Sequence, residues 1–260
     1  MTASEQAKTI VWITGATQGI GAALARSVPY RNARVINISR RPHPILESVV
    51  ADLAEPAAWE RIRLHLEAEL SSFAGKRALF IHNANLAGTG FVGEIDPDLY
   101  RRMVMANASA GLILGDAFVR ACPPSIEAGL VMMSSASAKF AMQGQAVYGA
   151  AKAAMEQWVR AVRAERKRRG TGPWAVAIRP GFVVTDEMRS AYARGVADAD
   201  IERFPGARAV RDAIASGRGQ TPDAVAREIW SLLPPDPDGR TVLFLGEFIE
   251  GSHDPRRRGG

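Results

Sequence analysis

Short apolar runs alternate with amphipathic segments along most of the chain, at lengths typical of strands and helices. The first run, TIVWIT at Thr9–Thr14, is continuously apolar between its two threonines. A strand that is covered on both faces of a parallel sheet has this pattern. The same reasoning predicts seven strands, at Thr9–Thr14, Arg34–Ser39, Ser48–Leu53, Ala78–His82, Leu130–Ser134, Trp174–Ile178 and Thr241–Leu245.

The segments between these runs carry helical periodicity. In one of them Trp59, Ile62, Leu66 and Leu70 recur at steps of three or four residues, which places them on one helix face. Helices are predicted at Pro56–Leu70, Asp96–Arg120, Val147–Arg169 and Pro222–Leu233. This alternation predicts an α/β fold: a single Rossmann-like, doubly wound domain over residues 1–260, with a seven-stranded parallel sheet and helices on both faces.

One segment interrupts the alternation. Residues 186–220 contain no strand pattern but carry spaced apolar residues, which predicts a pair of short helices inserted after the sixth strand. Ligands of such sheets bind in the crevice at the carboxyl ends of the strands, so this insertion should lie over the ligand. Residues 251–260, rich in arginine and glycine, are predicted to form a mobile tail.

The composition is that of an ordinary globular protein, with 47% hydrophobic and 23% charged residues among 260. An internal disulfide is excluded because Cys122 is the single cysteine. The chain has no apolar run long enough to span a bilayer and no signal-peptide pattern at its first residues. We therefore expect a cytoplasmic protein without membrane association.

The net charge of +6 is compatible with nucleic-acid binding through phosphates. The basic residues form two clusters, at 166–169 and 256–258. The first closes a predicted helix, where cations complement the helix dipole, and the second lies in the predicted tail. We therefore expect no nucleic-acid partner.

A glycine-rich segment, TGATQGIG at Thr14–Gly21, follows the first predicted strand directly and opens a helix. Glycines there permit a tight turn and let the backbone approach a pyrophosphate, whose charge meets the helix N-terminus. The spacing differs from the G-x-G-x-x-G form, and a glycine turn without a ligand is the alternative. The position between strand and helix favours a dinucleotide site.

The end of the second predicted strand bears on the choice of dinucleotide. NAD sites usually place Asp or Glu there for the ribose 2′-OH, but this chain has no acidic residue between Gly15 and Glu47. It has Ser39, Arg40 and Arg41 instead, and a guanidinium can bind a 2′-phosphate that a carboxylate would repel. We predict NADP(H), with Arg40 as the main contact; two solvated surface arginines are the alternative.

Tyr148 and Lys152 lie four residues apart in a predicted helix, which places the phenol and the ammonium on one face. A free phenol has a pKa of about 10, and a nearby cation lowers it. The pair can therefore act as a general acid/base with a lowered Tyr148 pKa. A Tyr and a Lys four residues apart are common, and two ordinary helix residues are the alternative that the spacing alone favours. Ser135 at a strand end and Asn107 in a helix are further candidates.

In these motifs the chain resembles the short-chain dehydrogenases/reductases. The second predicted strand ends at Ser39-Arg40, and this ending is similar to that of the sepiapterin reductase and benzil reductase branch of the family. The matching segments follow the family's order and spacing as far as Thr185: TGATQGIG (Thr14–Gly21), Asp52-Leu53, HNAN (His82–Asn85), Asn107, SSASA with Ser135, YGAAK (Tyr148–Lys152) and RPGFVVT (Arg179–Thr185).

The resemblance implies a role for each residue, and it implies no metal site. Tyr148 would donate a proton to the substrate carbonyl, Ser135 would orient that carbonyl, and Lys152 would bind the nicotinamide ribose. Asn107 would hold a water that links Lys152 to solvent. Besides Tyr148 and Lys152, the predicted cofactor contacts are Gly15, Thr17, Gln18, Gly19, Ile20, Gly21, Ser39, Arg40, Arg41, Asp52, Leu53, Asn83, Ala84, Pro180, Gly181, Val183 and Thr185.

Two residues after the fourth strand depart from the family's usual Asn-Asn-Ala-Gly. Asn85 replaces Gly, and Asn tolerates positive φ, so the turn should survive. His82 replaces the first Asn, and we expect it to be a hydrogen-bonded strand-end residue instead of a catalytic one. Asn32 stands where a Gly often closes the first helix, and the same argument covers it.

The predicted function is an NADPH-dependent carbonyl reductase that also works in reverse as an alcohol dehydrogenase. Phe182, Met188 and Tyr192 are apolar pocket candidates, which indicates a small hydrophobic carbonyl compound as substrate. A 3-oxoacyl-thioester or steroid-type reductase and a non-catalytic NADP-sensing protein are the alternatives. The longest helix has a small-residue face, through which family members commonly associate, so a homodimer or homotetramer is expected.

Overall fold

A sheet of seven parallel strands forms the centre of the protein, in a computed structural model that describes residues 8–193 and 198–246. The strand order is β3-β2-β1-β4-β5-β6-β7. The strands are β1 (Thr9–Thr14), β2 (Arg34–Ser39), β3 (Glu47–Val50), β4 (Arg77–His82), β5 (Glu127–Met133), β6 (Trp174–Arg179) and β7 (Val242–Phe244).

Helices join the strands and cover both faces of the sheet, as expected for a doubly wound fold. A π-helical turn, Met105–Ser109, connects α3 to α4, and a 3-10 turn, Ala136–Ala138, follows β5. Within the described ranges the helices are α1 (Gly19–Arg26), α2 (Pro56–Ser72), α3 (Pro97–Val104), α4 (Ala110–Ala121), α5 (Ala146–Arg169), α6 (Asp186–Ala193), α7 (Asp198–Arg203), α8 (Pro205–Ala215) and α9 (Pro222–Ser231).

The core consists of two apolar layers, one on each side of the sheet. All six residues of β1 are buried, and its alternate side chains point to opposite faces. Ile10 and Trp12 pack with α2, α4 and α5, whereas Val11 and Ile13 pack with α1 and α9. Burial on both faces explains why the apolar run of this strand is continuous.

The sheet has a topological switch between β1 and β4. The chain moves from β1 outward to β3, returns to pair β4 beside β1, and continues in the other direction to β7. The carboxyl ends of β1 and β4 are adjacent, with Thr14 and His82 as register partners. Ligands of open α/β sheets bind in the crevice outside such a switch.

The predictions for the third strand and for the inserted segment were wrong in detail. β3 ends at Val50, so Asp52 and Leu53 lie in the following loop; the amide of Ala51 still bonds to Ser39, but the chain then turns into α2. The insertion at 186–220 contains three helices instead of a pair, because Pro205, which suits the first turn of a helix, begins a new one.

The predicted helix at Asp96–Arg120 is interrupted in its middle by the π-helical turn. Asn32 adopts the left-handed conformation, with φ of 57°, as expected. None of the helices in the described ranges is both long and apolar enough to cross a bilayer. The predicted tail at 251–260 lies outside the described residues, and the assignment of residues 1–260 to one domain stays a prediction.

Candidate active site

Two adjoining cavities lie at the carboxyl edge of the sheet. The glycine-side cavity, about 440 Å³, is lined by the segment after β1 and by the ends of β2 and β3. The tyrosine-side cavity, about 480 Å³, is lined by the segments after β5 and β6 and by the start of α5. The residues that line both are Ile20, Asn83, Asn85, Leu86, Ala87 and Met188.

The glycine segment forms a cradle in which no side chain fits. Gly15 and Gly19 have φ of 71° and 54°, in the left-handed region that favours glycine. A Cβ on Gly21 would lie 2.1 Å from the carbonyl oxygen of Gly15. The N-cap residue of α1, Gln18, makes no side-chain cap, so the first amides of this helix are available to an anion. The cradle fits the pyrophosphate of a dinucleotide.

The end of β2 places a guanidinium beside this cradle. Arg40 is exposed, lines the glycine-side cavity, and makes no hydrogen bond or ion pair within the described part of the chain. The Ser39 hydroxyl donates to the Arg41 carbonyl at 2.6 Å, and Arg41 donates to Gln18 at 2.9 Å. Arg40 is therefore the cation of this group that is free to meet a phosphate.

Asp52 lines the same cavity, and its charge is already engaged. Its carboxylate accepts from Arg102 at 2.8 Å and from the amide of Ala54 at 3.0 Å. Burial raises the pKa of Asp52, but these hydrogen bonds outweigh burial and hold the pKa below its usual range. The ion pair with Arg102 limits the repulsion of a bound phosphate.

The hydroxyl of Thr14 joins the ends of β1 and β4. Its oxygen accepts from the amides of Asn83 and Ala84, at 2.9 Å each. The Asn83 side chain donates in turn to the carbonyls of Thr14 and Gly15, at 3.2 and 3.3 Å. These bonds hold the predicted cofactor residues Asn83 and Ala84 against the glycine cradle.

His82, at the end of β4, is fully buried and only half satisfied. Its Nδ1 lies 3.3 Å from Thr14 Oγ1, which already accepts two amides and therefore directs its hydrogen to the ring. This leaves the ring hydrogen on Nε2, which has no partner among the described residues. The expectation of a hydrogen-bonded His82 was thus correct for one nitrogen only. Burial, followed by the charge of Lys152, lowers the pKa of His82 to about 3.

Ser135, Tyr148 and Lys152 meet at the tyrosine-side cavity. Ser135 follows β5 and Tyr148 lies in the first turn of α5, where the Ser135 hydroxyl acts on the phenol and favours its ionised form. One turn later Lys152 donates to the carbonyl of Met133 at 2.8 Å, and its Nζ lies 5.5 Å from the centroid of the Tyr148 ring. The predicted arrangement of phenol and ammonium on one helix face is confirmed.

The expected fall in the pKa of Tyr148 was wrong. Burial raises the pKa of the phenol, and the nearby Ser135 hydroxyl offsets this only in part. Burial likewise lowers the pKa of Lys152 to about 8. Both groups are driven towards their neutral forms, so Tyr148 retains its proton at neutral pH and can donate it.

Asn107 lies in the π-helical turn and is fully buried. Its side chain accepts from the amide of Leu86 at 2.6 Å and donates to the carbonyl of Leu86 at 2.9 Å. Leu86 lines both cavities, so Asn107 fixes the wall that they share. Its amide group is engaged there, and the Lys152 ammonium donates to Met133 instead. Such turns are frequently found at functional sites.

The turn after β6 contributes to both cavities. Pro180, Gly181 and Phe182 line the tyrosine-side cavity, and Thr185 lines the glycine-side cavity. Val183 is buried and forms a bridge to Gln220, so it supports the turn from behind. Of the apolar pocket candidates, Phe182 and Met188 line the cavity, whereas the hydroxyl of Tyr192 donates to the carbonyl of Ala207 at 3.3 Å.

A group of aromatic and charged side chains, which we call the rim, lies in segments that continue from the lining of the tyrosine-side cavity, two residues beyond Thr89 and after Met142. Phe91 and Phe204 meet edge to face with ring centroids 5.0 Å apart. Arg203 lies 5.3 Å from both centroids and is ion-paired with Glu94. Phe204 packs against Gly144, where a Cβ would lie 2.8 Å from its ring. No motif in the sequence indicates this rim.

A second group that the sequence analysis missed surrounds Glu156 in α5. This carboxylate is only 2% exposed. It accepts from the hydroxyl of Ser134 at 2.6 Å and from the guanidinium of Arg179 at 2.6 and 2.7 Å. Ser134 precedes Ser135, and Arg179 precedes Pro180, so the group lies directly behind the site.

The sequence was also compared with known proteins. A family model described as short chain dehydrogenase matches residues 9–194. The chain is 27% identical over 191 residues to the 3-oxoacyl-(acyl-carrier-protein) reductase FabG of Salmonella typhimurium, covering 70% of this chain and 76% of that protein. It is 32% identical over 197 residues to a dehydrogenase/reductase SDR family protein 7-like of Anopheles gambiae, covering 68% and 59%.

Solved structures show the same architecture. A short chain dehydrogenase from Burkholderia cenocepacia in complex with NADP superposes with a TM-score of 0.68 at 20% identity, covering 96% of this chain and 99% of that one. The family match extends from β1 beyond the start of α6 and includes the glycine cradle, Ser135, Tyr148 and Lys152. The chain therefore belongs to the short-chain dehydrogenase/reductase family, whose members are oxidoreductases that use a nicotinamide cofactor.

Proposed function

We propose that the protein is an NADPH-dependent carbonyl reductase, which works in reverse as an alcohol dehydrogenase. The observation that carries this proposal is the convergence of Ser135, Tyr148 and Lys152 on a cavity that adjoins the glycine cradle. A dinucleotide that extends from one cavity into the other would bring its nicotinamide to the phenol. Family membership supports the class of reaction.

Each of the three side chains has a separate task in this proposal. A bound reduced nicotinamide supplies the hydride that reduces the carbonyl carbon. Ser135 donates a hydrogen bond to the carbonyl oxygen, and Tyr148 delivers its proton to the same oxygen. Lys152 binds the nicotinamide ribose, and its charge stabilises the phenolate that remains. A water near Asn107 would return a proton from solvent through Lys152.

The choice of NADPH rests on Arg40. Its guanidinium lines the glycine-side cavity and makes no hydrogen bond or ion pair among the described residues. The charge of Arg40 helps to lower the pKa of the nearby Asp52, whose carboxylate is ion-paired with Arg102. A guanidinium recognises a phosphate with two parallel hydrogen bonds, and NADH, which has a hydroxyl in place of the 2′-phosphate, would not make this contact. The Burkholderia cenocepacia complex is an example of NADP held by this fold.

The substrate that we propose is a small hydrophobic carbonyl compound. Apolar side chains of Met103, Met142, Phe182, Met188 and Val210 form much of the tyrosine-side cavity. A 3-oxoacyl thioester is the second candidate, favoured by the name of the Salmonella typhimurium relative. A protein that only senses NADP would need no proton donor, so the intact catalytic set argues against that alternative.

A homodimer or homotetramer belongs to the same proposal. A groove of about 570 Å³ runs along the outer face of α4 and α5, where Val119, Trp158, Ala161 and Val162 provide apolar surface. A second copy of the chain that packs against this groove would bury that surface. Sedimentation of the purified protein tests this part, and a monomer at micromolar concentration would contradict it.

Binding and turnover, measured side by side, test the proposed function. Fluorescence titration should give tighter binding of NADPH than of NADH, by about tenfold or more, and the enzyme should reduce aryl ketones and diketones. A 3-oxoacyl thioester in the same panel discriminates the second candidate. Binding of NADPH without turnover of any carbonyl in a broad panel would contradict the proposal and favour a sensor.

A further inference from the structure

Three segments of the candidate site share one buried carboxylate. Ser134 at the end of β5, Arg179 at the end of β6 and Glu156 in α5 are joined by hydrogen bonds of 2.6 to 2.7 Å. Each lies beside a residue of the proposed reaction: Ser134 precedes Ser135, Arg179 precedes Pro180, and Glu156 lies one turn after Lys152. The group therefore connects the elements that must be aligned.

The carboxylate is held as an ion inside the protein. Glu156 is 2% exposed and the side chain of Arg179 is 14% exposed. Burial raises the pKa of Glu156, but hydrogen bonds from Arg179 and Ser134 outweigh burial and hold the pKa below its usual range. A buried charge depends strongly on its partners, so these three side chains keep a fixed relative position.

The carboxylate does not act by neutralising Lys152. The Nζ of Lys152 donates to the carbonyl of Met133, and burial lowers the pKa of Lys152. Besides Ser134 and Arg179, Glu156 contacts Arg160 at 3.3 Å on the solvent side. Its effect is therefore directed to the ends of β5 and β6.

We propose that Glu156 is a positioning residue for the reaction: through Ser134 and Arg179 it fixes Ser135 and the Pro180–Gly181 turn relative to Tyr148. This inference rests on the proposed function for its meaning. Small displacements of reacting groups can reduce the rate by about a hundredfold. Removal of the Glu156 carboxylate should thus reduce kcat and let the bound carbonyl adopt more than one orientation. The adenine end of the dinucleotide should stay in place.

A pair of variants separates positioning from stability. Replacing a buried ion pair by apolar side chains is often neutral or stabilising, so Glu156→Met/Arg179→Met should fold with a melting temperature near that of the wild type. We expect its kcat to fall about ten- to hundredfold, with a lower enantiomeric ratio of the alcohol formed from a prochiral ketone. The NADPH dissociation constant should change less than about threefold. Glu165→Gln, in the exposed part of the same helix, is the matched control and should leave all three unchanged.

Two further measurements test the role of Glu156 without the double variant. If the double variant does not fold, Ser134→Ala, which removes only the arm to β5, should still lower kcat several-fold. Hydrogen exchange of Glu156→Gln should accelerate in residues 134–142 and 180–185 together, and it needs no turnover. A folded variant with wild-type kcat, enantiomeric ratio and exchange would overturn the inference. A wild-type protein that reduces no carbonyl would contradict the proposed function instead, and the exchange data would still decide the role of Glu156.

Discussion

Lys152→Met is expected to change the pH dependence of stability in a direction that burial alone dictates. Burial of Lys152 lowers its pKa from 10.5 to about 8, whereas in the unfolded chain it returns to its usual value. Between these values the unfolded chain binds a proton that the folded chain lacks, so the free energy of unfolding rises with pH. The fall in pKa corresponds to roughly 3 kcal/mol across this range.

The methionine variant lacks this titration. Its loss of the hydrogen bond to the Met133 carbonyl lowers stability equally at every pH, so only the pH-dependent difference between wild type and variant is diagnostic. Urea unfolding, followed by tryptophan fluorescence at pH 7, 8, 9 and 10, measures it. Between pH 7 and pH 10 the stability of the wild type should increase relative to that of the variant by roughly 2.5 kcal/mol.

The matched control is Lys139→Met, which removes an exposed lysine from the loop after β5. Its stability should follow that of the wild type in parallel at all four pH values. If Lys152→Met also runs parallel to the wild type, Lys152 is not desolvated in the folded protein. The electrostatic description of the tyrosine-side cavity would then be refuted.

Three further substitutions test other parts of the site. Arg40→Asp should lower kcat/KM for NADPH at least about tenfold, or 1.4 kcal/mol, with little effect on NADH; an unchanged ratio would defeat the cofactor assignment. Gly21→Ala places a Cβ 2.1 Å from the Gly15 oxygen, so it should lower the free energy of unfolding by about 1 to 3 kcal/mol and weaken NADPH binding. A wild-type melting temperature and NADPH dissociation constant would show that the cradle has room for a side chain. Phe91→Ala removes the ring against Phe204, so kcat/KM for a bulky aryl ketone should rise relative to that for a small diketone at constant NADPH affinity; an unchanged ratio would mean that the rim does not select substrates.

The strands were the most predictable part of the fold. The predicted bounds of β1 and β2 agree with the structure, because continuous burial leaves a continuous apolar run. The third strand was drawn too long because its pairing with β2 ends before its apolar residues do. The π-helical turn was missed because it has the same composition as the α-helix around it. Periodicity identifies buried faces, and it does not reveal local changes in backbone hydrogen bonding.

In the candidate site, sequence motifs predicted which residues meet but not how burial changes their chemistry. Tyr148 and Lys152 meet as expected, yet the pKa of the phenol is raised and not lowered. Burial raises it, and the extent of burial depends on which parts of the folded chain cover the phenol. Glu156 was missed because a charged residue on a long helix usually faces solvent. Its partners, Ser134 and Arg179, are 22 and 23 residues away and approach only when β5, β6 and α5 pack together.

The central claim is that Tyr148 donates the proton, and Tyr148→Phe tests this claim most directly. The substitution removes one oxygen and keeps the ring that packs beside Lys152. In a single-turnover experiment with NADPH already bound, oxidation of the cofactor by a ketone should slow by about a hundredfold or more, while the NADPH dissociation constant stays near that of the wild type. Oxidation at the wild-type rate would show that another group supplies the proton.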